Sequence, residues 1–161
     1  MGLEINLDKS EAIVVSERMQ EEPVQIRMKG KEIRIKESIK YLGVTIDAKL
    51  TFKEHLWKTV EETDNLIGTL GRLMPNIGGP GNKKRRITGM TGFSIILYGV
   101  QVWGKAIVIK SYREKVEKTI RKLLIRISMT YRTVSTEALY GIAGMMPIEC
   151  WVEERMEISG R

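Results

Sequence analysis

Cysteine, histidine and aspartate are nearly missing from this sequence, and each shortage closes a class of chemistry. A single cysteine, Cys150, in 161 residues excludes an internal disulfide framework and fits a reducing compartment. The one histidine, His55, has no cysteine near it, so a zinc site fails on ligand count. Its place beside Glu54, at the start of a helical pattern, points to a surface or capping role. The three aspartates, Asp8, Asp47 and Asp64, are never paired in sequence, whereas two-metal phosphoryl chemistry needs carboxylates that hold ions about 4 Å apart. No metal or other cofactor is expected in this chain, and none of these residues forms a catalytic motif.

Targeting and membrane signals are equally scarce. The first ten residues are charged and lack the apolar run of a secretory signal. The Met-Gly start has Asn6 where N-myristoylation wants serine or threonine. Residues 87–104 are uncharged over 18 positions, but Ser94, Gln101, two threonines and four glycines make them too polar for a lipid-facing helix. They read as a buried core helix. The expected location is intracellular, nucleus or cytoplasm, with no membrane partner. Internal repeats and low-complexity tracts are also absent.

Positive charge is what the sequence has in excess, and it is concentrated. The net charge of +7 is the sum of unlike parts. Residues 1–64 carry 11 Lys/Arg against 13 Asp/Glu, residues 65–134 carry 14 against 2, and residues 135–161 carry 2 against 5. A segment at +12 repels itself and calls for a polyanionic partner.

Periodicity divides the chain into a strand-rich start and a helical remainder, an α+β class. "EAIVVS" (11–16) is a β-branched run. "VQIRM" (24–28) and "EIRIK" (32–36) alternate around "KGK", a hairpin pattern. "IKYLGVTID" (39–47) reads as one more buried strand, with Gly43 marking a bulge or a close backbone approach. Thr51 and Glu54 form a T-x-x-E capping box, and Phe52, Leu56, Val60, Ile67, Leu70 and Met74 continue it at helical spacing. After the "PNIGGPG" break, a second helix is predicted over about 82–103, with its glycines on a tightly packed face or at a kink. Ser111 and Glu114 make another box before a helix whose core face is Val116, Ile120, Leu123 and Ile127. Lys115, Lys118, Lys122 and Arg126 line its other face. "STEALYGIAG" (135–144) and "PIECWVEERMEI" (147–158) complete the helical part.

The basic middle carries the functional signal. "GVQVWGKA" (99–106) matches G-x-x-x-x-G-K, but Ala106 stands where a phosphate loop needs serine or threonine for magnesium. Lys83, Lys84, Arg85 and Arg86 open the second helix at the end that already bears partial positive charge. A bound phosphate would relieve that conflict, and the backbone N–H groups after "GGPG" could donate to the same anion. The row Lys115, Lys118, Lys122 and Arg126 could track a phosphate backbone. Trp57, Trp103, Tyr112 and Tyr131 are candidates for stacking on bases or for the core. Contacts of this kind bind nucleic-acid phosphate without reading sequence. The competing reading is a helical protein-interaction module whose acidic tail, residues 135–161, docks on its own basic middle or on another subunit.

Taken together, "GLEINLDKSEAIVVS" (2–16), "KYLGVTID" (40–47) with "LTFKEHL" (50–56), "GRLMPNIGGP" (71–80), "KKRR" (83–86), "ILYGVQVWG" (96–104), "YRTVSTEAL" (131–139), "PIE" (147–149) and "EERMEI" (153–158) resemble jockey-like non-LTR retrotransposon reverse transcriptases, especially the ribosomal-DNA-inserting kind. The resemblance covers nearly the whole chain in order. It implies that Lys9 is the motif lysine near the incoming nucleotide. It also implies that Tyr41, Leu42 and Gly43 belong to a primer grip, in which a β-hairpin holds the primer's end. Residues 1–48 would be the end of the palm, 49–134 a basic helical thumb and 135–161 an acidic helical connection. The family's aromatic-Ala-Asp-Asp catalytic motif is not in this sequence, nor are fingers or most of the palm. The resemblance therefore implies a primer–template-binding fragment of an RNA-directed DNA polymerase, inactive alone. Magnesium is expected only with the complete enzyme, and the missing palm and fingers would be partners.

Overall fold

The computed structural model describes residue 6 and residues 10–15, 25–75 and 78–159. They divide into two compact units, up to His55 and from Leu56 onward. The class is α+β, with two two-stranded antiparallel sheets and six α-helices among the described residues.

In the first unit, β1 (Ile26–Met28) pairs with β2 (Lys31–Ile33), Arg27 opposite Glu32. The two-residue loop Lys29-Gly30 has φ of 49° and 77°, the doubly positive geometry that matches strand twist in a tight hairpin. The stretch expected to be one strand over 39–47 is instead a second hairpin. β3 (Ser38–Tyr41) turns through Leu42-Gly43, φ 46° and 85°, into β4 (Val44–Asp47). Gly43 is therefore a turn residue, its positive φ being the conformation that glycine adopts at no steric cost. Among the described residues, "EAIVVS" yields a single parallel bridge, Ala12 to Ile35; Ser16 lies outside the described residues. A β-branched run forms a strand only where a neighbouring backbone completes its ladder.

Asp47 joins the second hairpin to the helix that follows. Its carboxylate accepts N–H bonds from Lys49 (3.2 Å), Thr51 (3.0 Å) and Phe52 (2.6 Å), and the Thr51 hydroxyl at 3.2 Å. These bonds hold Leu50 and Phe52 at φ of 52° and 55°, a strained conformation that persists only when several contacts enforce it. Burial alone would raise the Asp47 pKa, but the bonds from Thr51, Phe52 and Lys49 outweigh it and hold the group below the ordinary aspartate range. His55 is buried, not at the surface as expected, and its Nδ1 accepts the Thr45 N–H at 3.4 Å.

α1 (Lys53–Leu73) begins in the first unit and runs through the second. Its stripe Leu56, Val60, Ile67, Leu70 and Met74 is buried as the spacing predicts. The second helix is interrupted: α2 (Asn82–Ile96) ends before Gly99 (φ 64°), and α3 (Val100–Trp103) runs into a 3-10 turn, Gly104–Val108. The two parts bend by 48°. Among the described residues no single helix is long and apolar enough to cross a membrane.

α4 (Lys110–Ser128) is the centre of the second unit, packing on α2, on the 3-10 turn and on α5 (Thr136–Ala143). Its start differs from the predicted capping box. The 3-10 turn feeds straight into it, Ile109 is the cap and no side chain caps the helix, so Ser111 already lies inside the first turn. Val116, Ile120, Leu123 and Ile127 are all buried. α2 meets α4 through glycine: a methyl on Gly89 would clash with Ile127, and one on Gly92 would sit 2.6 Å from Leu123 Cδ2. Ser135 caps α5, its hydroxyl accepting the Ala138 N–H at 3.3 Å, and Gly144 (φ 63°) ends it. α6 (Ile148–Ser159) packs on α3 and the 3-10 turn.

Candidate nucleic-acid interface

The four cations that open α2 separate into two roles. Lys83 and Lys84 are exposed. Arg85 is fully buried and is not a phosphate ligand as expected. Its guanidinium donates to the carbonyls of Pro80 (2.8 Å), Met74 (3.2 Å) and Arg126 (3.3 Å), and also to that of Pro75. Met74 and Pro75 follow the last turn of α1, and Arg126 lies in the last turn of α4. Arg85 therefore sits where two helices present their negative ends. Arg86 repeats the pattern, donating at 2.6 Å to the carbonyl of Gly144 at the end of α5. The conflict with the α2 dipole is thus offset inside the protein by the carboxyl ends of three other helices.

The α4 row is differently placed. Lys115 is exposed, its Nζ 6.0 Å from the centre of the Trp57 ring, and Trp57 makes an edge contact with Tyr112. Lys118, Lys122 and Arg126 line one open cavity of about 630 Å³ in the second unit. Two further cations join them there, Arg121 and Arg132, with Tyr131 and Thr130 at the loop and Ile67 and Ile125 supplying apolar wall. Lys83 and Arg86 line a separate cavity of about 210 Å³ with Ser128 and Gly144. Neither of these two cavities is lined by cations of both rows.

Partners determine which charges in the larger cavity remain available. Lys122 Nζ lies 2.9 Å from both carboxylate oxygens of Asp64 on α1, and Thr119 donates to the same carboxylate at 3.3 Å. Arg121 bonds Thr136 Oγ1 (2.9 Å) and the carbonyls of Arg132 (2.7 Å) and Val134 (2.6 Å). It keeps its charge in the wall while tying down the loop that carries Tyr131. Lys118, Arg126 and Arg132 have no side-chain hydrogen bond or ion pair among the described residues. Trp103 is fully buried, its indole N–H on the Tyr98 carbonyl at 2.8 Å, and so belongs to the core. Tyr131 is 84% exposed.

Elsewhere, Tyr41 and Leu42 stand exposed at the tip of the β3–β4 hairpin, beside Gly43. Lys9 lies outside the described residues. No group of three or more metal-ligating side chains occurs among the described residues.

No family model matches the chain, and no solved structure matches it. Curated relatives do. A Pol polyprotein of the type-1 retrotransposable element R1 from Nasonia vitripennis is 30% identical over 117 residues, 70% of this chain and 34% of the relative. The R1 Pol polyprotein of Bradysia coprophila is 28% identical over 127 residues, covering 78% and 12%. The RNA-directed DNA polymerase from the mobile element jockey of Drosophila melanogaster is 30% identical over 132 residues, covering 79% and 14%. This chain is homologous to Pol polyproteins of non-LTR retrotransposons. It spans about a third or less of the length of these Pol relatives.

Two residues of the cavity are additions to the sequence-derived set. Arg121 falls between the two predicted faces of α4, and Arg132 follows the helix in a loop. Only the chain reversal after Met129, whose φ is 54°, brings Arg132 beside the α4 row.

Proposed function

We propose that this chain contributes primer–template binding to a non-LTR retrotransposon polymerase and performs no bond-making step itself. The cavity on α4 is the main contact, with the phosphates of an RNA–DNA hybrid or RNA lying against Lys118, Arg126 and Arg132. The observation that carries this reading is the convergence of five cations from α4 and the following loop on one open concavity. Polyanion binding of this type is driven by release of counterions and is blind to sequence. Lys83 and Lys84 supply a second, smaller phosphate contact at the exposed start of α2, and Lys115 extends the α4 row. By the Pol relationship, the exposed tip Tyr41-Leu42-Gly43 acts as the primer grip and Lys9 as the motif lysine. Magnesium and the bond-making carboxylates belong to the rest of the polymerase.

The test is fluorescence anisotropy of a labelled RNA–DNA hybrid across a salt series. Binding should weaken steeply with salt. Replacing Lys118, Arg126 and Arg132 by alanine should flatten the log–log slope by about 0.9 for each phosphate that is no longer neutralised. Replacing Lys83 and Lys84 should flatten it less. A slope indifferent to the first three substitutions would remove the cavity from the interface.

A further inference from the structure

Phosphate contacts explain the cations of the larger cavity but not its other wall. Tyr131 is the most exposed large apolar side chain among the described residues, at 84%, and it stands in that wall beside Ile67 and Ile125. Its loop is held. Arg121 binds the carbonyls of Arg132 and Val134, and the Val134 N–H donates to the Tyr131 carbonyl at 3.3 Å. Because the loop's main chain is already tethered, little backbone freedom is lost when something stacks on the ring, and the interaction is strengthened by that preorganisation.

The interior of a paired duplex cannot use such a ring. The duplex's bases are stacked on one another, and its outer surface offers phosphate and sugar. A base with an open face can, and stacking on an aromatic tolerates any base. The volume of about 630 Å³ is that of a cleft able to take a small organic group. We infer that the cavity captures an unpaired nucleotide adjoining the duplex, its base stacked on Tyr131 against the Ile67–Ile125 wall and its flanking phosphates held by Lys118, Arg126 and Arg132. This inference rests on the nucleic-acid reading above and narrows its ligand to a single-strand junction.

A 2-aminopurine reporter tests it on the full chain. One RNA–DNA hybrid carries the reporter as the first unpaired nucleotide of an overhang, and another carries it paired in a blunt duplex. Binding should change the fluorescence of the overhang reporter and leave the paired one unchanged. Tyr131→Phe should keep that response, while Tyr131→Ala should abolish it and weaken overhang binding roughly fivefold or more. Blunt-hybrid affinity should hardly change in either variant. Salt-dependent binding without an overhang response, or a response that survives Tyr131→Ala, overturns the inference and leaves the phosphate reading standing. Absence of salt-dependent binding to either hybrid overturns both.

Discussion

The guanidinium of Arg85 donates to the main-chain carbonyl of Arg126 at 3.3 Å, so one cation of the basic segment is held by the backbone of another. Carbonyls of residues 74, 75 and 80 complete the cage. The ends of α1 and α4 and the start of α2 are fixed to one another through a single planar side chain. Lysine would not reproduce it, because its three donors radiate from one nitrogen, whereas the guanidinium spreads donors on Nε, Nη1 and Nη2 toward four carbonyls.

Arg85→Met should therefore destabilise the protein by about 3 kcal/mol, because it leaves the four carbonyls of the cage, that of Met74 buried, without their donor. Lys84→Met, at an exposed site one residue away, should change stability by no more than about 0.5 kcal/mol. Urea midpoints of the two variants give the comparison. Equal shifts would mean that the cage contributes nothing to stability.

Glycine on α2 provides a second contrast. Gly89→Ala and Gly92→Ala each insert a methyl into the α2–α4 contact, at an overpacking cost of about 1–3 kcal/mol. That should exceed the roughly 1 kcal/mol that alanine gains over glycine in a helix. Gly68→Ala on α1 meets open space and should stabilise by up to about 1 kcal/mol. Thermal melts should show opposite signs for the two helices.

Two carboxylates should respond to pH in opposite directions. The Asp47 pKa is lowered in the folded state, so its contribution is complete above the ordinary aspartate value of about 4. That contribution is lost as pH falls through the lower folded value. Glu117 is raised by burial, then by its hydrogen bond and like-charge contact with Glu149. Its contribution is complete below the ordinary glutamate value and disappears as pH rises through the raised one. Asp47→Asn should thus destabilise at neutral pH and matter little in strong acid, while Glu117→Gln should stabilise at neutral pH. Denaturation at pH 7 and in strong acid would expose a failure of either sign.

Asp64 restrains a cation of the proposed interface. Asp64→Asn removes the negative charge from Lys122, whose side chain is 56% exposed. An ion pair this accessible to water contributes at most about 1 kcal/mol, so the fold should persist. Hybrid affinity should rise, with a salt slope steeper by up to about 0.9. Unchanged affinity would place Lys122 outside the interface.

Local chemistry made much of this legible. The stripes of α1 and α4 and the ends at Gly30 and Gly144 follow from spacing and backbone preference, which a short window contains. The face of α2 does not: its buried residues are Arg85, Gly89, Gly92, Phe93 and Ile96, and an arginine and two glycines erase the apolar period. The excess of cations in residues 65–134, and hence the need for negative partners, was likewise determined by sequence alone. Which cations remain for a ligand was decided by tertiary structure. Arg85 finds a carbonyl 41 residues away, Arg86 one 58 residues away, and Lys122 a carboxylate 58 residues away. Hydrogen bonds act over about 3 Å, so a charge is consumed or left free only once folding brings distant backbone beside it.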